Sequence, residues 1–274
     1  MGRFGDLPFT TWAHAGSDIY NRNHQTDAAL RSRLREAGFV LTCNAANLAH
    51  FKKLLDSSVL EKVELLTHGV DLDRFQRSGD TAPEPGTILA VGRLSPAKGY
   101  QFLLEACRLL KERGVGFRCS IAGSGQMAAE LEAYCSREGL GDVVKLLGHV
   151  DHPKLPEMYR ATEIFVMPSI IGPKGSRDGL PNVLLEAMAT RVACVGTDVA
   201  SIPEAIDHEK TGLLVPPEDP VALADAIERF LTDAGLRERL GAAAREKVRG
   251  AYGRESAMDR LLEIFRGLHG DGGA

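Results

Sequence analysis

The sequence predicts an α/β protein built on a doubly wound parallel sheet, and three observations carry that expectation. From residue 87 to residue 215, short apolar runs alternate with amphipathic stretches of helical period, the pattern of parallel strands joined by helices packed on both faces. Residues 76–86 are polar and aperiodic, with two prolines and two glycines, and read as a linker. Beyond Pro217 the pattern becomes wholly helical.

Each element follows from its own spacing. Strands are expected at 87–91, 117–122, 143–147, 163–167, 192–196 and 213–215. Between them fall helices at 101–113, 126–137, 154–160, 182–189 and 201–206. The first of these carries Phe102, Leu103, Ala106, Leu109 and Leu110 at helical intervals. Two helices, 221–231 and 236–249, are separated by Thr232-Asp233-Ala234. A last helix at 255–268 places Met258, Leu261, Leu262, Phe265 and Leu268 on one stripe. Upstream of the linker, strands are expected at 9–14, 39–42 and 63–66, with helices at 27–36 and 45–55. That is too little for a closed doubly wound domain of ordinary size. The chain divides at 1–80, 81–250 and 251–274, without internal repeats or low-complexity tracts.

Composition narrows the function classes. The 274 residues are 44% hydrophobic and 26% charged, which is ordinary globular composition with material for a sizeable core. A net charge of −4 gives no global basic field for nucleic acid. The five cysteines are scattered and contain no C-x-x-C pair, which argues against zinc and against a disulfide framework and suits a reducing cytosol. Cys107, Cys119 and Cys194 lie in apolar runs and read as small buried hydrophobes. No run approaches the roughly 20 apolar residues of a spanning helix, and residues 1–8 hold no apolar signal core.

Ligands of open α/β sheets sit at the carboxyl ends of the strands, so the loops there are the candidate site. After the strand at 87–91 comes Gly92-Arg93-Leu94-Ser95-Pro96-Ala97-Lys98-Gly99. Arg93 and Lys98 can converge on one anion, or remain two solvated cations. The Gly123-Ser124-Gly125 turn, with Ala128, fits a relaxed dinucleotide fingerprint, but it follows the second strand of the unit rather than the first. A bare tight turn explains it equally well. The third loop leads through Asp178, Gly179 and Leu180 into Pro181, Asn182 and Val183. Pro181 suits a helix opening, and the amides of Leu180, Asn182 and Val183 would face an anion. Asp178 and Glu186 could each accept hydrogen bonds from sugar hydroxyls; otherwise Asp178 is a helix N-terminal charge and Glu186 a solvated helix residue. Together the loops offer cations for a diphosphate and acceptors for ribose and hexose hydroxyls.

The strings GRLSPAKG, IAGSG, DGLPNVLLEAMA and TGLLVPPEDP resemble family 4 of the retaining glycosyltransferases, which has the two-Rossmann GT-B fold. WAHAGSDIY and HGVDLDRF resemble the end of that family's N-terminal domain and its crossover. The acidic motif D-G-x-P-N-V-x-x-E is most similar to the colanic acid and exopolysaccharide branch; many other members have Glu where this chain has Asp178. The resemblance covers nearly the whole chain. It implies one complete doubly wound Rossmann-like C-terminal domain, 81–250, that binds the nucleotide-sugar donor. Residues 1–80 would be a truncated Rossmann-like remnant of the acceptor-side domain with the crossover, and 251–274 a helix packing back toward it. Implied donors are UDP- or GDP-linked hexoses, and the implied acceptor a glycan or a lipid-linked sugar. Arg93 and Lys98 would bind the diphosphate and Glu186 the ribose. Asp178, with Gly179, Leu180, Pro181, Asn182 and Val183, would grip the donor sugar and phosphate. Gly92, Gly123 and Gly125 would give the nucleotide room, and His14 would face the donor sugar from the other domain.

The implied chemistry is hexose transfer with retention by front-face attack, serving cell-surface polysaccharide synthesis in the cytoplasm. A lipid-linked acceptor would bring the enzyme to the inner membrane face as a peripheral protein. No metal or other cofactor is expected. Asp71-x-Asp73 matches the metal motif of a different glycosyltransferase fold but lies at the crossover, and His149 with His152 has ligand spacing in a proline-bearing loop. An acceptor half reduced to residues 9–75 points to a miscalled gene start, a fragment, or a partner that completes it, and its open sheet predicts self-association. A nucleotide-sugar-binding subunit without transferase activity is the alternative class. A nicotinamide-dependent oxidoreductase rests on Gly123-Ser124-Gly125 alone.

Overall fold

The computed structural model describes residues 10–13, 27–77 and 82–270. Two parallel sheets organise these residues, as the alternation requires. The smaller has order β1-β2-β3, from Thr10–Ala13, Phe39–Thr42 and Val63–Leu65. Helix α1, Asp27–Glu36, precedes β2, and α2, Ala45–Leu54, and the one-turn α3, Ser57–Leu60, follow it. All four β2 residues are buried. Val40 packs with Leu30, Leu34, Phe51 and Val59 on one face, while Phe39 and Leu41 meet Leu66 on the other.

The larger sheet has six strands in the order β6-β5-β4-β7-β8-β9. They are β4 Thr87–Val91, β5 Arg118–Ala122, β6 Val144–Gly148, β7 Ile164–Met167, β8 Ala193–Thr197 and β9 Leu213–Val215. Counted within this domain the order is 3-2-1-4-5-6, the doubly wound Rossmann topology. The intervening helices are α4 Tyr100–Glu112, α5 Ala128–Arg137, α6 Leu155–Arg160, α7 Asn182–Ala189 and α8 Ile202–Ala205. Then come α9 Pro220–Thr232, α10 Ala234–Ala251 and α11 Arg254–Gly270.

Strand periodicity divides the apolar residues between two cores. Ile88, Ala90, Ile164 and Val166 point to the face covered by α4, α5 and α9. Leu89, Val91, Phe165 and Met167 point to the face covered by α6, α7, α8 and α10. Successive side chains alternate faces, so a strand buried on both sides reads as a continuous apolar run. Cys107, Cys119 and Cys194 are buried free thiols, as their surroundings predict. Asp233 ends α9 and accepts from the Leu236 amide to cap α10, which explains the break seen at 232–234.

The two sheets are tied by specific contacts. The Val70 amide donates to the Tyr252 carbonyl and the Arg254 amide to that of Val70, at 2.8 and 2.9 Å. Ala257, Leu261 and Ile264 of α11 cover Phe39, Leu41 and Leu66, and Phe265 stacks edge-on with Phe39. The single stripe expected of this helix divides: Leu261 packs on the sheet, while Met258 and Leu262 stand exposed on an adjacent strip of α11, as Leu65 does on β3. Glu204 reaches from α8 to the start of α2, where its carboxylate accepts from the Ala45 and Ala46 amides at 2.8 and 3.1 Å. Asp71 accepts from the Arg74 amide and pairs with Arg254 at 2.9 Å, so it braces the crossover. No described helix is long and apolar enough to cross a membrane.

Candidate functional site

The site is assembled from three loops at the carboxyl ends of β4, β5 and β7, and the backbone draws them together. The Gly92 amide donates to Ala122 O, Leu94 to Ser124 O, Met127 to Leu94 O and Gly123 to Gly148 O, at 2.7–3.0 Å. A Cβ on Gly123 would lie 1.8 Å from the Gly92 carbonyl, so only glycine permits this approach. Pro96–Lys98 forms a single 3-10 turn closed by Gly99, which has φ +64° and packs against the Pro168 carbonyl. The Ile170 amide donates to Ala97 O at 2.9 Å, stitching this loop to the one after β7. The point between β4 and β7, where the strand order reverses, is where ligands of this topology lie.

Arg93 is exposed beside a cleft of about 260 Å³ lined also by Gly92, Gly123, Ser124, His149 and Val150. Its guanidinium has no ion-pair partner among the described residues. Lys98 turns the other way: its Nζ lies 2.9 Å from Asp178 Oδ2, with both side chains mostly buried. Ser169 Oγ donates to the same oxygen at 2.8 Å, and Thr197 Oγ1 donates to the Ser169 carbonyl. Asp178 therefore sits beside the helix start with its charge compensated, facing the cation that sequence reasoning paired with Arg93.

Helix α7 begins at Asn182, as its spacing predicts. Pro181 is the N-cap, and its carbonyl accepts from Leu184 and Leu185. The amides of Asn182 and Val183 are thus the ones left without an intrahelical acceptor. Leu180 is buried in the core under the helix, while Asn182 is exposed at its mouth and Gly179 half-buried. For Glu186 the alternative of a solvated helix residue is excluded: it is a buried carboxylate. His152 Nε2 lies 2.8 Å from its Oε1, and the Tyr159 hydroxyl donates to Oε2 at 3.1 Å. Asp178 and Glu186 do bracket the helix start, but each is held by its own partners.

Two features had no clear sequence signal. Tyr100, the first residue of α4, is buried with its hydroxyl facing Gly92 and Lys98. Ser169 and Thr197 order Asp178 from neighbouring strand ends. The histidine pair separates: His149 lies 3.5 Å from Asp151, while His152 serves Glu186. No group of three potential metal ligands occurs among the described residues. His14 lies outside the described residues. A larger cavity of about 520 Å³ opens at the amino ends of β4, β5 and β6 and is lined by Glu84, Arg118 and Asp142. It has no glycine turn joined to a helix start, so size does not make it the better candidate.

A doubly wound domain with cations, glycine turns and a helix start at its switch point defines a Rossmann-like class of protein whose candidate site lies at the strand ends. Residues 72–247 match the family described as glycosyl transferases group 1, and the chain belongs to that family. It is 34% identical over 210 residues to WcaL of Escherichia coli K12, named as a colanic acid biosynthesis glycosyltransferase, covering 76% of this chain and 52% of that protein. It is 32% identical over 209 residues to the amylovoran biosynthesis glycosyltransferase AmsK of Erwinia amylovora, covering 76% and 51%. HepE of Anabaena, solved in complex with UDP, superimposes with a TM-score of 0.81 at 19% identity over 95% of this chain and 72% of that one. The fold is that of the GT-B glycosyltransferases. The chain spans about half the length of the curated relatives it matches.

Proposed function

We propose that this chain is the donor-binding part of a retaining hexosyltransferase that uses a UDP- or GDP-linked hexose. The acceptor would be a glycan or a lipid-linked sugar of cell-surface polysaccharide synthesis. The names of the Escherichia and Erwinia relatives and the UDP in the Anabaena structure support this reading. The observation that carries it is the grouping of Arg93, Lys98, Asp178 and the α7 start at the reversal of strand order.

Transfer from a nucleotide sugar builds negative charge on the departing diphosphate while the anomeric carbon becomes cationic. Fixed charges and dipoles aimed at that diphosphate are the main catalytic resource. Arg93, which has no ion-pair partner among the described residues, meets the phosphates with a planar fork of donors. Lys98 exchanges Asp178 for phosphate oxygens, and Asp178 is then released to accept from a hexose hydroxyl. The Asn182 and Val183 amides add the positive end of α7. Glu186 accepts from the ribose hydroxyls. Gly92, Gly123 and Gly125 leave space for the nucleotide. The reading assigns no covalent nucleophile and takes front-face attack assisted by the leaving phosphate. The cations and amides supply the charge that a metal gives elsewhere, so no cofactor is required. Work in the cytoplasm, peripheral to the inner membrane face where the acceptor is lipid-linked, completes the proposal.

The test is nucleotide affinity and transfer for Arg93→Ala and Lys98→Ala. Each loses a charge-assisted contact, so affinity for UDP or GDP should fall about tenfold to a hundredfold, and transfer at least as much. Unchanged values in both variants would sink the assignment.

A further inference from the structure

We infer that His152 is a positioning residue for nucleoside recognition: it aims the buried Glu186 carboxylate at the ribose hydroxyls. The inference rests on the reading that Glu186 meets the ribose.

The geometry is that of an oriented acceptor. Glu186 projects from α7 with a side chain only 8% exposed. Its neighbours along that helix, Leu184, Leu185, Ala187, Met188 and Ala189, are buried and apolar. A carboxylate in such surroundings needs partners, and it has two, one on each oxygen. An ionised carboxylate only accepts, so the histidine nitrogen facing Oε1 must carry the proton. Tyr159 is fully buried, and desolvation with the Glu186 charge pushes its phenol well above its ordinary range, so it stays a donor. A carboxylate offers about four lone-pair sites; two are taken, which leaves two for a vicinal diol.

His152 is held as firmly as a positioning group needs to be. It opens the 3-10 turn His152–Lys154 after β6. Its ring packs edge-on against the buried Phe75, centroids 5.7 Å apart, and its carbonyl accepts from Arg74 Nη2 at 3.0 Å. Yet its side chain is 52% exposed. A partner needed only to neutralise a buried carboxylate would gain nothing by standing at the surface. A group that must hold the acceptor while leaving its outward lone pairs open belongs there.

The experiment titrates the full chain calorimetrically with UDP, GDP and their 2′,3′-dideoxy forms, which lack both hydroxyls that Glu186 would accept from. The proteins compared are wild type, His152→Ala, His152→Gln and Glu186→Gln, with thermal melting followed throughout. Wild type should favour the ribose form. His152→Ala should weaken the ribose form about fivefold to tenfold, the size of one ordinary net hydrogen bond, because the carboxylate is misaimed rather than removed. Binding of the dideoxy form should stay within about twofold, so the ratio between the two flattens. His152→Gln, which retains an N–H donor, should restore most of the preference, and adding His152→Ala to Glu186→Gln should change nothing more. Equal weakening of ribose and dideoxyribose forms, or an unchanged ratio, would overturn the inference alone. Absence of saturable binding of both UDP and GDP by wild type removes the donor reading and this inference with it.

Discussion

The Tyr100 hydroxyl lies where a Cβ on Gly92 would come within 2.9 Å of it, and it has no hydrogen-bond partner among the described residues. Burial, with the Asp178 charge second, pushes its pKa above the ordinary tyrosine range. A buried hydroxyl without a partner costs about 1–3 kcal/mol, so Tyr100→Phe should raise stability by about 1 kcal/mol at neutral pH. The sign at high pH follows from the shift. Above about pH 10 the unfolded tyrosine loses its proton while the folded one keeps it. The native form then holds more protons, so stability falls as pH rises, and Phe at this position removes that loss. Urea unfolding at pH 7 and pH 10.5 should show the variant's advantage growing; a less stable variant at both would contradict the account. At this scale Arg93, Lys98 and Asp178 were legible, because they share loops that the strand pattern already placed at one end of the sheet. The partners of Glu186 were not, since His152 and Tyr159 stand 34 and 27 positions away. Its burial did have a signal: a lone charge in the otherwise apolar run VLLEAMA of α7.

The element that makes the site is the set of loops joined by backbone hydrogen bonds, and its weak point is Gly123. A methyl group there would meet the Gly92 carbonyl backbone to backbone, which no rotamer change relieves. Gly123→Ala should cost about 2–4 kcal/mol, as overpacking at a fixed contact does, and abolish nucleotide binding. Gly141, where a Cβ meets nothing within 4 Å, is the control; Gly141→Ala should stay within about 0.5 kcal/mol. Denaturant unfolding and nucleotide titration of both variants measure the difference, and equal tolerance would mean the loops are not joined in this way. Most elements were readable because their period and their flanking Gly and Pro agreed. The misplaced edges have physical causes. The start of α5 moves from the expected 126 to Ala128 because the Met127 amide is drawn to Leu94. The four residues of α3 are too short to declare a period.

For the whole molecule, alternation along the chain predicted a doubly wound sheet but could not order its strands. The order follows from right-handed crossovers and from which faces the helices cover, and it moves the β4 and β7 ends together. The same step could not be read for the contacts between the two sheets. Glu204 at the start of α2 and α11 over β2 join residues about 160 or more positions apart. The central claim is one of place: a nucleoside diphosphate binds at the carboxyl ends of β4, β5 and β7. Backbone amide shifts followed by NMR during titration with UDP and GDP test it most directly. The account predicts the largest changes at Gly92, Gly123, Ser124, Asn182 and Val183. Changes centred on Arg118 and Asp142, at the amino ends of the strands, would contradict it.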